Sequence, residues 1–217
     1  MRAPNVSRLR QSVIEVERKF LCNEQHLRQF RANQGTPAFS PLESLGKQCF
    51  EDTYFDRDNI LSANGIWVRR RDGRWQAKVR PDPKHSSFTN SQFEELTKPS
   101  EIAQMLRTRL NIDAVPSMEQ DFGLVQMARF TTYREMWKAN KKFGIVVDQT
   151  DFGHVVGEVE LEQEIQVDDN DETSLARRQS AIVQMDEEIR IFMERYQWAF
   201  PLGKPVGKLS AYFARQR

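Results

Sequence analysis

The sequence predicts an α+β fold in which one antiparallel, strand-rich domain has helices outside it. Eight segments alternate between apolar and polar residues with the period of two that is typical of half-buried strands. Several of these segments are separated only by short turn signals, which favours antiparallel pairing. Three other segments carry apolar residues at helical spacing. The 217 residues suit a single domain, which we expect to cover 1–217.

The strands are predicted in chain order from this alternation. They cover residues 11–21, 47–56, 64–72, 74–80, 91–98, 128–138, 142–149 and 153–167. Asp72-Gly73 predicts a tight hairpin between the third and fourth strands. Asn140 and the lysines after it indicate a hairpin between the sixth and seventh strands, and Gly153 indicates a turn before the eighth. A polar loop is predicted over residues 81–90.

The helices are predicted over residues 24–32, 100–110 and 172–199. Pro99 and Ser100 form an N-terminal signal for the second helix. The third helix is the longest, and its apolar residues are spaced to form a buried stripe.

Composition excludes several classes of protein. Hydrophobic residues make up 39% and charged residues 29% of the chain, which argues against both a disordered protein and a membrane protein. The formal net charge of +1 predicts no bulk attraction to nucleic acid. Cys22 and Cys49 are too few for a disulfide framework at this length. We therefore expect a cytoplasmic protein with neither a membrane partner nor a nucleic-acid partner.

Charge is concentrated on one face of several predicted strands, because alternate residues point to opposite faces. The face is acidic in the eighth strand, basic in the third and fourth, and mixed in the first. These positions are Glu15, Glu17 and Lys19 in the first strand, Arg69 and Arg71 in the third, Lys78 and Arg80 in the fourth, and Glu158, Glu160, Glu162 and Glu164 in the eighth. Like charges two residues apart on one face repel unless groups of opposite sign lie between them.

Two interpretations of this charged face remain open at this point. It is either the solvated side of a sheet or the lumen of a closed barrel whose apolar side meets the helices. In a lumen, Arg and Lys would suit phosphate oxygens, and clustered carboxylates would suit Mg²⁺ or Mn²⁺. Acidic and basic walls facing each other would then hold a polyphosphate bridged to a metal ion.

A set of motifs in a fixed order along the chain helps to decide between these two interpretations of the charged face. Residues 14–20 read I-E-V-E-R-K-F. The motifs that follow are D-T-Y-F-D at 52–56, W-V-R-R-R at 67–71, E-E-L-T at 94–97, D-F-G at 151–153, V-G-E-V-E at 156–160 and G-K-L at 207–209. This set resembles the signature of the CYTH, or triphosphate tunnel metalloenzyme, superfamily over nearly the whole chain. Within that superfamily it is most similar to the thiamine triphosphatases.

The resemblance implies an eight-stranded antiparallel closed β-barrel, open as a tunnel, that binds a small-molecule triphosphate with Mg²⁺ or Mn²⁺. The implied metal ligands are Glu15, Glu17, Asp148, Glu158 and Glu160. The implied triphosphate-binding and catalytic residues are Lys19, Arg69, Arg71, Lys78, Arg134 and Lys208, with Glu95 as a supporting acidic residue. Either Asp148 or Asp151 could take the metal-side position, and we favour Asp148 because it ends a strand after Val146-Val147.

The expected function is metal-dependent hydrolysis of the terminal phosphate of thiamine triphosphate by a monomer. Trp67 shares its strand face with Arg69 and Arg71, so its indole is either a core group or a platform for the cationic thiazolium. An inorganic tripolyphosphatase is the alternative enzyme, and a noncatalytic polyphosphate-binding module is the alternative outside the enzymes. Neither cysteine is expected to act as a nucleophile, and Tyr54 and Phe55 are expected to serve packing.

Overall fold

The computed structural model describes residues 10–80, 90–167, 171–201 and 203–216. Most of the polar loop expected at 81–90 lies outside these ranges. Eight strands are present: β1 (Arg10–Phe20), β2 (Leu42–Asp56), β3 (Ile66–Arg71), β4 (Arg74–Val79), β5 (Asn90–Leu96), β6 (Val125–Ala139), β7 (Phe143–Thr150) and β8 (Val155–Val167). The α-helices within these ranges are α1 (Glu24–Arg31), α2 (Ile60–Ala63), α3 (Pro99–Leu110), α4 (Glu172–Arg195) and α5 (Lys208–Ala214).

The strands close into a barrel in the order β1-β5-β4-β3-β2-β6-β7-β8, and every neighbouring pair is antiparallel. The ring is completed by β1 and β8; β1 pairs along its whole length with β8, from Arg10 opposite Val167 to Phe20 opposite Gly157. Closure leaves no free sheet edge and separates an inner face from an outer one. The expected fold class, an α+β protein with a closed antiparallel barrel surrounded by helices, is confirmed.

The two predicted hairpins form, and each turns through two successive residues with positive φ. Asp72 and Gly73 between β3 and β4 have φ of 45° and 81°, and Asn140 and Lys141 between β6 and β7 have φ of 51° and 60°. Two successive positive φ values match the twist of the flanking strands, and Asp, Asn and Gly tolerate them best. These hairpins place β4 beside β3 and β7 beside β6 without a long connection.

The outer face of the barrel is apolar because it packs against the helices. On one side the stripe of α4, which includes Ile182 and Ile189, covers Ile14 and Val16 of β1 together with Val159 of β8. On the other side, residues of β3 and β4 pack in a second cluster against α2 and α3. Arg18 on β1 is held to α4 by hydrogen bonds of 2.8 and 2.9 Å to Asp186. Because the apolar residues of each strand face outward, their alternate neighbours must face inward.

Several boundaries differ from the predictions. β2 begins at Leu42 instead of residue 47, because its first half pairs with β6 although most of its side chains are exposed. The last long helix ends at Arg195 instead of residue 199. The short helices α2 and α5 were not predicted, since seven residues or fewer carry too little periodicity to be read.

Candidate active site

The inward faces of the strands line a cavity of about 270 Å³ inside the barrel. Twelve of the thirteen site residues expected from the sequence belong to its lining: Glu15, Glu17, Lys19, Trp67, Arg69, Arg71, Lys78, Glu95, Arg134, Glu158, Glu160 and Lys208. The charged strand faces therefore form a lumen and not a solvated side of a sheet.

Three carboxylates come together where β1 pairs with β8. Glu17 lies opposite Glu160 in the strand register, and Glu15 lies two residues away on the same strand face. One oxygen from each of Glu15, Glu17 and Glu160 lies within 4.8 Å of the other two. Carboxylate oxygens are the donors that hard divalent cations prefer. The chemistry of this donor set fits Mg²⁺ or Mn²⁺.

Two lysines pair with this carboxylate cluster. The Lys78 Nζ lies 2.6 Å from an oxygen of Glu15, 3.4 Å from Glu17 and 3.5 Å from Glu95. Lys19 donates a hydrogen bond to Glu17, and its Nζ lies 3.3 Å from Glu158. Each buried acid of β1 therefore has a basic neighbour inside the lumen, as buried charges require.

The lysines remain charged in this setting. Burial by itself would lower the pKa of both, but Glu15 and Glu17 raise the pKa of Lys78, and Glu17 with Glu158 raises that of Lys19, above the ordinary value. Both side chains are therefore available as ammonium groups for an anionic ligand.

A buried aspartate on β2 holds the arginines of β3. Asp52 is fully buried and accepts hydrogen bonds of 2.7 and 2.8 Å from Arg71, its partner in the strand register. Arg69 lies 3.9 Å from the same carboxylate and donates to Gln76 at 2.8 Å. The Arg71 guanidinium also lies 3.8 Å from the centre of the Phe50 ring. These contacts hold both guanidinium groups on the cavity wall.

A second buried aspartate, on β7, pairs with basic side chains of β6 and α5. Asp148 is fully buried, accepts hydrogen bonds of 2.7 and 2.8 Å from Arg134, and also accepts one from Lys208 at the start of α5. Asp151 is exposed, and its carboxylate accepts a hydrogen bond from the Thr131 backbone N–H. The structure therefore places Asp148, and not Asp151, beside the site residues.

The five carboxylates expected as metal ligands divide into two sets. Glu15, Glu17 and Glu160 cluster, whereas Asp148 pairs with Arg134 and Lys208, and Glu158 lies 3.3 Å from Lys19 and 3.7 Å from Arg134. The metal role of all five stays a prediction, and the geometry favours the clustered three.

The lumen is not divided into one acidic wall and one basic wall, as the sequence led us to expect. Around the ring, the acidic groups of β8 and β1 are followed by the basic groups of β4 and β3, then by Asp52 on β2, Arg134 on β6 and Asp148 on β7. Acidic groups occupy the consecutive strands β7, β8, β1 and β5, but Lys19 lies among them, and Asp52 lies between the basic groups of β3 and β6. The two signs mix because a buried charge is tolerated only beside a partner of opposite sign. The predicted convergence of these groups on one space is found, but their segregation into two walls is not.

An aromatic pair lies beside these charges. Trp67 on β3 and Phe93 on β5 meet edge to face with ring centres 5.7 Å apart, and both line the cavity. The guanidinium of Arg80, at the end of β4, lies 4.9 Å from the Trp67 ring and 5.8 Å from the Phe93 ring. Trp67 is half-buried and accessible from the lumen, so it is not a fully enclosed core group.

Sequence reasoning gave no site role to four residues that shape the site, although it placed one of them, Arg80, on the charged strand face; the four are Phe50, Asp52, Arg80 and Phe93. The sequence signal for Asp52 is that it lies two residues from Tyr54 and so shares its strand face, whereas its pairing with Arg71 is visible only in the strand register. The packing role expected for Tyr54 is incomplete, since it stacks with Phe130 but also lines the cavity. Contacts between strands decide these roles, and a single strand does not display them.

The clustered carboxylates also perturb one another. Burial raises the pKa of Glu160 to about 8, and Glu15 and Glu158 add to the rise against the opposing effect of Arg134. Burial and then Glu158 likewise raise the pKa of Glu17. Without a cation the cluster therefore favours a proton on at least one of its members.

We expect the free energy of unfolding, measured in a chelator, to fall as the pH rises from about 6 to about 8, by on the order of 1–2 kcal/mol. Glu160 has an ordinary pKa of 4.5 in an unfolded chain but about 8 in the folded one. Between these values the folded state binds more protons, so raising the pH destabilises it. Urea unfolding at a series of pH values measures this slope. Glu160→Gln, which cannot ionise, should flatten it, and an equal slope in both proteins would contradict the assignment.

Comparison with known proteins agrees with this geometry. A family profile for the CYTH domain matches residues 13–194. The human thiamine-triphosphatase is 31% identical over 170 residues, which cover 69% of this chain and 68% of that protein. No helix within the described ranges combines the length and apolar character needed to span a bilayer.

Solved structures share the fold at low sequence identity. The PH1819 protein from Pyrococcus horikoshii OT3 aligns with a TM-score of 0.53 and 19% identity, over 94% of this chain and 99% of its own. A putative adenylyl cyclase from Hippeastrum, described as having a dominant triphosphatase activity, aligns with a TM-score of 0.50 and 15% identity over 94% and 96% of the two chains. The profile match and the human relative together show that the chain belongs to the CYTH domain family and is a triphosphatase-type hydrolase resembling thiamine triphosphatase.

Proposed function

We propose that this chain hydrolyses the terminal phosphate of thiamine triphosphate in a metal-dependent reaction. The observation that carries the proposal is one cavity inside the barrel in which seven basic side chains converge beside three clustered carboxylates. The human relative is named a thiamine-triphosphatase, which supports this substrate. Cytoplasmic location and a monomeric state stay predictions.

The basic side chains would bind the triphosphate. Guanidinium groups such as those of Arg69 and Arg71 grip phosphate oxygens with two parallel hydrogen bonds, and Lys78 acts as a compact point charge. Phosphoryl transfer needs neutralisation of charge on the transferring oxygens and little covalent chemistry from the protein. Pre-positioned cations supply this neutralisation without reorganising during the reaction.

The acidic cluster would hold the divalent ion. Glu15, Glu17 and Glu160 offer oxygen donors at suitable separations, and Asp148 holds Arg134 and Lys208 in the lumen. When bound, Mg²⁺ or Mn²⁺ would supply charge stabilisation on phosphate oxygens and a polarised water. The chain's own residues set where the phosphates lie relative to that ion.

No protein nucleophile is needed in this scheme. Neither Cys22 nor Cys49 lines the cavity. Burial and the nearby Asp148 raise the pKa of the Cys22 thiol to about 12, so it stays protonated. Direct attack of water on the terminal phosphate is the consistent alternative.

The proposal is tested by measuring phosphate release from thiamine triphosphate, tripolyphosphate and ATP, with Mg²⁺, with Mn²⁺ and with a chelator. We expect metal-dependent release, with the highest kcat/KM on thiamine triphosphate. Binding of tripolyphosphate without any release would indicate a noncatalytic module instead. Release from tripolyphosphate alone would indicate an inorganic triphosphatase.

Trp67→Ala should lower kcat/KM for thiamine triphosphate about tenfold more than for tripolyphosphate, because an indole face attracts a cationic ring by roughly 0.5–2 kcal/mol. The same phosphate-release assay measures both substrates. Equal losses of kcat/KM on the two substrates would show that Trp67 does not recognise the head group.

One observation favours inorganic tripolyphosphate as a second candidate substrate. The positively charged Arg80 lies against the Trp67 face that a cationic head group would use.

A further inference from the structure

Arg80 lies at the aromatic edge of the cavity. It directly follows β4, two residues after Lys78, and its guanidinium carbon is 4.9 Å from the Trp67 ring centre and 5.8 Å from the Phe93 ring centre. Arginine in this position makes a cation–π contact with indole, the strongest of the aromatic partners. The face of the Trp67 ring is thus already in contact with a positive charge of the protein, that of Arg80.

The backbone around Arg80 is built to hold its side chain there. A Cβ added at Gly65 would lie 2.9 Å from the Arg80 Cδ, so only glycine leaves room for the stem, and the Gly65 φ of 70° also favours glycine. The Arg80 backbone N–H donates to the Gly65 carbonyl at 3.0 Å. The stem therefore passes over the β3 start toward the tryptophan.

The guanidinium group of Arg80 has one hydrogen-bond donor without an acceptor in the described part of the chain. Its Nε is buried and has no hydrogen-bond acceptor among the described residues. A buried donor of this kind is costly unless a ligand completes it. Phosphate oxygens are acceptors of the required charge, whereas a cationic ring offers no acceptor and repels the guanidinium.

We propose that Arg80 is a specificity-determining residue that weakens the preference of the cavity for a positively charged head group at Trp67 relative to a purely anionic triphosphate. This inference rests on the proposed triphosphatase function and concerns which triphosphates the same cavity accepts. Arg80 acts as an internal cation on the aromatic platform, and a thiamine head group must displace it before it can stack.

The kinetic test compares Arg80→Gln and Arg80→Met with the wild-type chain. Both changes remove the charge, and methionine keeps an apolar stem against the ring. We expect the ratio of kcat/KM on thiamine triphosphate to kcat/KM on tripolyphosphate to rise about tenfold, because the neutral side chains neither repel a cationic head group nor make a cation–π contact with Trp67. Arg129→Gln is the matched control, since Arg129 is exposed on β6 and pairs with Glu51 at 2.9 Å; its ratio should not change.

A binding test separates this inference from the proposed function. Calorimetry with thiamine, which carries the cationic ring but no phosphate, reports on the platform without turnover. We expect Arg80→Gln and Arg80→Met to bind thiamine about tenfold more tightly than the wild-type chain. Arg80→Lys keeps the charge and should stay near wild type.

The outcomes are distinct. A wild-type chain that releases phosphate from no triphosphate overturns the proposed function, and the thiamine titration then decides on Arg80 alone. Unchanged kinetic ratios and unchanged thiamine affinity in both neutral variants overturn the role of Arg80. A parallel loss on both substrates, without tighter thiamine binding, also overturns it, because that is the effect of a merely structural residue.

Discussion

Glu17→Gln is expected to lower metal-dependent triphosphate hydrolysis about 100-fold or more, because it removes one of three carboxylates that would hold the divalent ion. The substitution keeps the shape of the side chain and an acceptor for Lys19 and Lys78. Initial rates of phosphate release and calorimetric titration with Mn²⁺ measure the two consequences, and Mn²⁺ affinity should fall with activity.

A stability measurement separates this role from a structural one. Burial raises the pKa of Glu17, which means that the folded chain tolerates its ionised form poorly. In a chelator, Glu17→Gln should therefore melt no lower than the wild-type chain. Glu43→Gln, an identical change at an exposed position of β2, is the matched control for activity. Full activity and unaltered Mn²⁺ affinity in Glu17→Gln would show that the metal assignment is wrong.

Asp52→Ala is expected to lower the free energy of unfolding by about 3 kcal/mol, since removing one partner of a buried ion pair leaves the other charge uncompensated. Asp52 is fully buried and makes two hydrogen bonds to Arg71, with Arg69 at 3.9 Å. Loss of this anchor should also reduce activity, because both guanidinium groups would no longer be held on the cavity wall. Urea unfolding and phosphate release measure the two effects.

The neighbouring residue provides the control. Glu51 pairs with Arg129 at 2.9 Å on the outside of the barrel, where the two side chains are 43% and 59% exposed. Glu51→Ala should cost less than about 1 kcal/mol, as exposed ion pairs do. Asp52→Asn, which retains one acceptor for Arg71, should fall between the two. If Asp52→Ala proved no more destabilising than Glu51→Ala, the anchoring role of Asp52 would be refuted.

Local chemistry made much of the fold readable in advance. The hairpins at Asp72-Gly73 and Asn140-Lys141 were predictable because Asp, Asn and Gly accept the positive φ of such turns most readily, and each hairpin contains at least one of them. The short helix α5 was not, although it carries Lys208, because its helical character depends on packing against the barrel. Propensity in so short a segment is weak compared with tertiary contacts.

The candidate site, like the fold, was predictable only in part from the sequence. Strand alternation was enough to put Glu15, Glu17 and Lys19 on one face. It also marked the basic faces of β3 and β4, and the resemblance supplied Arg134 and Lys208. Alternation could not show that Asp52 would anchor Arg71, because that contact depends on the register between β2 and β3. Nor could it show that Arg80 would lie over Trp67, which depends on the close approach at Gly65.

By itself, then, the sequence determined which side chains share a strand face and that those faces carry charge, since a two-residue repeat is a property of a single extended chain. Only the tertiary structure decided which charges meet, because ring closure between β1 and β8 and the registers of the other strands bring together residues far apart in the chain. The pairing of acids with bases around the lumen follows from the cost of burying a charge alone, and that cost applies only once the barrel has closed.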